Sequence, residues 1–166
     1  MKIETLVVGM LQENCYIVTI NDYSIIIDPG DETQRIIDAC KDKNVKEILI
    51  THHHFDHIGA LKELEEYFGI KENNCTNLFD YEIIKTPGHT SDSVTYYFLS
   101  ENVMFTGDFN FFHTIGRCDL PTGNIKEMSN SLMLISKYPD NICIYPGHGP
   151  KTNLGIEKNN FKYYIR

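Results

Sequence analysis

Apolar residues in the first third of the chain come in short runs with the spacing of strands. Residues 2–8, 15–20 and 24–28 alternate or run apolar, with breaks at Gly9 and at Asn21-Asp22. That pattern predicts three strands of an antiparallel meander, the last two joined by a tight hairpin. The third strand runs into Ile27-Asp28-Pro29-Gly30, a turn. From Thr33 to Lys43 the period lengthens: Ile36, Ile37 and Cys40 share one helical face, with Thr33 as the expected cap. Val45–Ile50 is apolar, β-branched and short, a buried strand. Ile58–Phe68 then predicts a helix with Ile58, Leu61, Leu64 and Phe68 on its apolar face, closed by Gly69.

The second half repeats the alternation less regularly. Residues 70–81 have no clean period and are expected to be connection. Glu82–Lys85 predicts a short strand stopped by Thr86-Pro87-Gly88-His89-Thr90, where Pro and Gly adjoin. Ser93–Leu99 and Val103–Thr106 form a hairpin around Ser100-Glu101-Asn102, and the second strand ends in Gly107-Asp108. A long loop is expected from Phe109 to Gly123. Asn124 caps a helix to about Lys137, with Glu127 as its capping-box partner and Met128, Leu132 and Ile135 on its buried face. Ile142–Tyr145 is the last strand, stopped by Pro146-Gly147-His148-Gly149-Pro150, and the tail has little apolar periodicity. Strands lead each half and helices follow, so two sheets back to back with helices outside is the natural layering.

Length and composition narrow the class. A chain of 166 residues fits one domain, 1–166, with a core of its own. Net charge is −8 with no Lys/Arg-rich block, which argues against nucleic acid as a partner. No window approaches a membrane span, and the apolar run at the N-terminus is too short for a signal peptide. The five cysteines (Cys15, Cys40, Cys75, Cys118, Cys143) are scattered and never spaced as Cys-x-x-Cys. Reduced thiols in a cytoplasmic protein are therefore the expectation, rather than a disulfide framework or thiolate zinc.

The chemistry concentrates at Thr51-His52-His53-His54-Phe55-Asp56-His57, where a strand hands over to a helix, the place where sites collect in α/β layers. An extended loop sets His52 and His54 on one side, and the turn at Asp56-His57 aims a second pair at a neighbouring point. Two metals suit that arrangement better than one. Further on, His89, Asp108 and His148 each close a predicted strand beside Gly. Of seven histidines, five occupy such positions. Imidazole and carboxylate without thiolate suit zinc, iron or manganese, with zinc favoured. One ion takes His52, His54 and His89, the other Asp56, His57 and His148, and Asp108 bridges them ~3.5–4 Å apart. Asp56 and Asp108 are the carboxylates expected to serve catalysis.

The order of HxHxDH, Thr-Pro-Gly-His-Thr, Thr-Gly-Asp and Tyr-Pro-Gly-His-Gly resembles the metallo-β-lactamase-fold hydrolases. Within them it is closest to the glyoxalase II-like branch, the hydroxyacyl-thioester hydrolases. The resemblance extends to Asn14-Cys15-Tyr16, Ile27-Asp28-Pro29-Gly30 and Ile115-Gly116-Arg117. It implies an α/β (α+β) four-layer αββα sandwich and the ligand set above. It also implies that Asp28 supports the metal site without binding metal. The activity implied is hydrolysis of a small-molecule thioester by a hydroxide bridging two divalent ions.

Departures from the resemblance bear on specificity. His57 and His89 are 32 positions apart, which is short for such proteins, so the segment 58–88 lacks a strand and helical piece. The chain ends soon after His148, without the helical domain that holds glutathione in glyoxalase II proper. Phe112 and His113 add bulk after Asp108. His113 is expected to pack as a loop histidine against Phe111 or Phe112, and His53 to point away from the metals; Arg117 is either an ion pair within its loop or an anchor for an anionic substrate, and the resemblance favours the ion pair. Rival readings are a mononuclear-iron persulfide dioxygenase, a lactone or other ester hydrolase, and a non-enzymatic binding protein. The full ligand set argues against the last. A β-lactamase is disfavoured by Asp108, where those enzymes use Cys, and a processing nuclease by the acidic balance.

Overall fold

The meander expected at the N-terminus forms. In the computed structural model, which describes residues 1–165, β1 (Lys2–Val8), β2 (Glu13–Ile20) and β3 (Tyr23–Ile27) pair antiparallel. Helix α1 (Thr33–Ala39) crosses over to β4 (Val45–Leu49), which lies parallel to β3 and completes the order β1-β2-β3-β4. A parallel neighbour needs such a crossover, because a tight turn can only reverse the chain. These elements belong to the first of two compact units, Met1–Asp80; the second begins at Tyr81. Ile17, Ile26 and Ile48 of the sheet pack with Ile36 of α1 and with Leu61 and Leu64 further on as the first core.

Two local expectations change here. Thr33 does not cap α1: the preceding Glu32 holds the cap position in a left-handed conformation (φ 56°), with no side-chain bond to the helix. Its carboxylate turns instead to the β1–β2 turn, accepting from Gly9 N–H at 3.0 Å and from Arg35 at 2.9 Å. The single helix over Ile58–Phe68 is two pieces, α2 (Phe55–Ile58) and α3 (Leu61–Phe68). The break is tertiary, since Ala60 N–H donates to the Pro29 carbonyl and Gly59 packs against the Gly30 carbonyl so closely that a Cβ would meet it at 2.2 Å. Gly69 closes α3 in the left-handed conformation, as its sequence position implies. The connection after it is irregular but tied down. Asn73 donates to Ile48 O and accepts from Ile50 N–H, and Thr76 bonds the buried carboxylate of Glu47 on β4.

The second unit carries a five-stranded sheet of order β11-β10-β7-β6-β5. Its strands are β5 (Glu82–Lys85), β6 (Val94–Phe98), β7 (Val103–Gly107), β10 (Cys143–Pro146) and β11 (Thr152–Asn153), with β10 parallel to β7. Between β7 and β10 runs α4 (Ile125–Ile135), whose Met128, Leu132 and Ile135 are buried against Met104, Ile142 and Ile144. Asn124 caps it, accepting from Lys126 and Glu127 N–H. The capping box is not closed, because Asn124 N–H goes to the Gly88 carbonyl at 2.8 Å. That bond ties the helix start to the turn bearing His89.

The stretch from Phe109 to Gly123 is not all loop. Asn110–Phe111 (β8) and Thr114–Ile115 (β9) pair as a small hairpin. The tail is ordered too, adding β11 and α5 (Leu154–Phe161). Its helix has no clear amphipathic stripe, which is why periodicity misses it; Leu154 and Phe161 are buried at its two ends, and Glu157 between them. Among the described residues no helix is long and apolar enough to cross a membrane.

Candidate metal centre

In the first unit, the end of β3 and the end of β4 lie side by side, which places Asp28 beside Thr51. Asp28 N–H donates to Leu49 O at 3.0 Å. Its carboxylate accepts from Thr51 N–H at 2.7 Å and from Thr51 Oγ1 at 2.6 Å. The same carboxylate reaches Nδ1 of His57 at 3.0 Å, with both residues buried. A carboxylate only accepts, so Nδ1 carries the proton and Nε2 is left as the donor atom for a metal. Support for the metal site from behind, which the resemblance implied for Asp28, would run through this contact.

His52 and His54 converge as the extended loop predicts. His52 Nε2 and His54 Nδ1 are 3.1 Å apart, and the His52 ring also lies 4.1 Å, centroid to centroid, from that of His57. His54 remains extended (φ −68°, ψ 147°) while Phe55 begins the single turn of α2. The chain thus changes direction between the two pairs of candidate ligands, bringing Asp56 and His57 round on a helical turn. Gly30 makes room for that turn. A Cβ there would stand 1.8 Å from the Asp56 carbonyl oxygen and 2.7 Å from Glu13 Oε2. His53 points elsewhere, half exposed and 3.2 Å from Glu72.

Glu13 was not foreseen. It is buried at the start of β2, with Oε1 3.8 Å from His57 Nδ1, so two carboxylates back one imidazole. Its only signal in the sequence is an acidic residue entering an otherwise apolar strand.

In the second unit, His89, Asp108 and His148 close β5, β7 and β10. His89 Nδ1 donates to the Arg117 carbonyl at 2.8 Å, which again leaves Nε2 as the donor atom. That Nε2 lies 3.4 Å from Asp108 Oδ2, and His148 Nε2 lies 3.7 Å from Asp108 Oδ1. One carboxylate therefore faces a different imidazole with each of its oxygens. The parallel pairing of β7 and β10 sets this up, and Gly147 N–H donates to Gly107 O at 2.9 Å just before Asp108 and His148. Gly116 makes the close approach possible, since a Cβ on it would stand 1.8 Å from Asp108 O and 3.0 Å from His89 Nδ1.

The neighbours singled out from the sequence have structural partners. Arg117 forms a two-pronged pair with Asp119 at 2.7 Å on both arms, and the guanidinium holds the Asp119 carboxyl down to about 2. The pair is exposed, and such pairs contribute little to stability. It is the Arg117 carbonyl, not its side chain, that serves the site. The His113 ring packs at a tilt of 51° against that of Phe112, with ring centroids 3.8 Å apart, and meets Asn160 at 3.1 Å through Nδ1. Its backbone N–H donates to Glu157, which also accepts from Thr152 Oγ1 at 2.6 Å. A buried glutamate on α5 thus fastens the β8–β9 turn.

The donors fit divalent metals. They are imidazole and carboxylate throughout, and two of the histidines have their far nitrogen held by an oxygen acceptor, as metal-binding histidines do.

Known proteins place this arrangement. The profile of the metallo-beta-lactamase superfamily matches residues 8–74 and 77–148. A probable metallo-hydrolase of Streptococcus pyogenes serotype M6 is 30% identical, with 96% of this chain and 88% of that protein covered. A hydroxyacylglutathione hydrolase of Haemophilus influenzae is also 30% identical, with 96% of each covered. Both alignments exceed 200 positions against a chain of 166 residues, so the relatives carry segments that this chain lacks. Among solved structures, the BLEG-1 B3 metallo-beta-lactamase superposes with a TM-score of 0.90 at 27% identity, covering 98% of this chain and 99% of that one. The protein TTHA1623 in a di-iron-bound form gives 0.87 at 28%, covering 95% and 98%. The mixed α/β architecture is thus the metallo-β-lactamase fold, and the chain belongs to the metallo-β-lactamase superfamily as one of its metallo-hydrolases.

Proposed function

We propose that the protein hydrolyses small thioesters at a centre of two divalent metal ions, zinc in the first instance. The observation that carries this reading is Asp108, whose two carboxylate oxygens face His89 and His148 separately, as would suit a carboxylate shared by two ions. His52, His54 and His89 would hold one ion, and Asp56, His57 and His148 the other, with Asp108 shared. The seven donors and both units then act as one domain, which the run of the family profile through both units supports. Bound there, the ions supply a water ionised near neutral pH and a Lewis acid for the acyl oxygen. Asp28 and the Arg117 carbonyl keep His57 and His89 in the tautomer that leaves Nε2 for a metal. In the reaction the acyl C–S bond breaks, water adds to the acyl carbon, and a carboxylic acid and a thiol leave.

The glutathione-thioester hydrolase among its relatives supports the thioester class, and the N/O donor set supports zinc while admitting iron. The test is metal analysis of protein purified without added metal, followed by turnover of S-lactoylglutathione, an N-acetylcysteamine thioester, a lactone, a chromogenic cephalosporin and glutathione persulfide. Two ions per chain with thioester turnover is the expected result. One iron per chain with oxygen uptake on the persulfide would replace this reading with a dioxygenase, and turnover of the cephalosporin alone with a β-lactamase.

A further inference from the structure

Glu157 of α5 is wholly buried, and a buried carboxylate is costly unless donors surround it. Its two oxygens serve different donors. Oε1 accepts from Thr152 Oγ1 at 2.6 Å, while Oε2 accepts from His113 N–H at 3.0 Å and from Asn160 Nδ2 at 3.3 Å. Thr152 and His113 both lie outside α5, so these bonds do nothing for the helix itself. Thr152 stands four residues after His148, and His113 five after Asp108. One side chain therefore ties the chain leaving β10 to the chain leaving β7. Just upstream of that tie, His148 and Asp108 face each other at 3.7 Å.

The β8–β9 hairpin, anchored at its tip by Glu157, is in contact with the proposed donors of this unit. The Phe111 ring meets the His148 ring at 64°, with centroids 6.1 Å apart. Past β9, Gly116 fits against the Asp108 carbonyl, and the Arg117 carbonyl accepts from His89 Nδ1. The hairpin is small, with two residues in each strand. Asn110 holds it together from within, donating to the Phe111 and Thr114 carbonyls. At its tip His113 has φ 62°, a left-handed conformation that a side chain disfavours. Such a conformation persists where the surroundings fix it, and the bond to Glu157 fixes this one.

We infer that Glu157 is a positioning residue for the proposed metal centre: by clamping the β8–β9 tip to β11, it holds His89, Asp108 and His148 in the arrangement that takes up the ions. The inference rests on the metal-hydrolase reading above and adds to it a group that acts through the backbone. Its part in the second unit matches that of Asp28 in the first, which ties the end of β3 to the end of β4.

The experiment separates clamping from mere stabilisation. Glu157→Met keeps the length of the side chain and removes both acceptors, and Thr152→Val removes one donor with little change of shape. Phe161→Leu is the control, since it weakens the buried end of α5 without touching the clamp. Zinc affinity is read by chelator competition, stability by thermal melting, and hairpin order by hydrogen exchange of the metal-free proteins. Glu157→Met should lower zinc affinity about tenfold, the lower end of what losing a group behind a metal ligand costs. It should also speed exchange across residues 110–116, and Thr152→Val should move both readouts the same way. Glu157→Gln, which can accept from His113 N–H and donate to Thr152 Oγ1, should restore the parent values. Phe161→Leu should lower the melting temperature and leave affinity and hairpin exchange as in the parent. An equal fall in affinity in this control, at equal loss of stability, would overturn the inference. So would unchanged affinity in Glu157→Met, or in Thr152→Val where Glu157→Met does not fold. A parent protein that binds neither zinc nor iron, with hairpin exchange still faster in the clamp variants, would overturn the metal reading and leave the clamp standing.

Discussion

Asp28 Oδ2 lies 3.0 Å from Nδ1 of His57, and the same carboxylate takes both hydrogens that Thr51 offers. One buried side chain therefore joins the ends of β3 and β4 and sets the tautomer of a candidate ligand on α2. Asp28→Ala should lower metal affinity by about 10- to 100-fold, the usual effect of losing a partner behind a metal-binding histidine. It should also lower the melting temperature by several degrees, because a buried N–H left without its acceptor costs about 1–3 kcal/mol. Chelator competition and a thermal melt check the two effects. Unchanged affinity in a folded variant would remove Asp28 from any role at the site.

Asp108→Ala should lose at least one ion per chain and nearly all hydrolysis. The expectation follows from one carboxylate facing two imidazoles, His89 at 3.4 Å and His148 at 3.7 Å. Elemental analysis beside a rate measurement decides it, and a variant with two ions and normal turnover would refute the bridging role.

Gly30→Ala tests the packing beneath the ligand turn. A Cβ at this position would sit 1.8 Å from the Asp56 carbonyl, so backbone must move. Overpacking of this kind costs about 1–3 kcal/mol. Because the displaced carbonyl belongs to Asp56, metal content should fall along with stability. Gly69→Ala is the control: Gly69 has nothing within 4 Å and lies away from the ligands, so it should lose stability through its left-handed backbone (φ 67°) while keeping its metal.

His113→Ala should leave metal content unchanged and alter kcat/KM by no more than tenfold, about 1.4 kcal/mol. Its ring is occupied with Phe112 and Asn160. A crystal structure of the metal-loaded protein with His113 bonded to an ion would refute this.

The thiols should separate by burial. Cys75 is exposed, whereas burial raises the Cys15 thiol well above its ordinary value and the Cys40 thiol to about 11. At pH 8 Cys40 would be roughly one part in a thousand thiolate, the reactive form. A thiol reagent should label Cys75 first in the folded protein, and Cys15 and Cys40 only on unfolding. The linkage has a sign as well. With its folded pKa above the ordinary value of 9.0, neutral Cys40 favours the fold fully below pH 9, and that contribution is lost as pH rises through about 11. Unfolding curves from pH 8 to 11 should show Cys40→Ala losing less stability across this range than the parent protein.

Much of the chain was legible before its structure because the signals are local. Strand alternation located β1 to β7 within a residue or two, and turn-forming Pro and Gly marked the strand ends where His89, Asp108 and His148 stand. Candidate ligands stand out for the same reason: a metal needs particular atoms, and HxHxDH packs four of them into six residues.

Tertiary structure decided what depends on residues distant in the chain. Gly59 breaks the expected helix because Gly30, 29 positions earlier, occupies its space, and Ala60 prefers the Pro29 carbonyl to another helical bond. Helix α5 carries no periodic stripe; it is held by Leu154 and Phe161 in the core and by Glu157 reaching His113 N–H 44 positions away. Glu13 looks in the sequence like one more charge at a strand end, yet pairing with β1 and β3 carries it inside beside His57. Periodicity reports only which face of an element is apolar. Which carboxylate stands behind which imidazole is set when strands far apart in sequence are brought side by side.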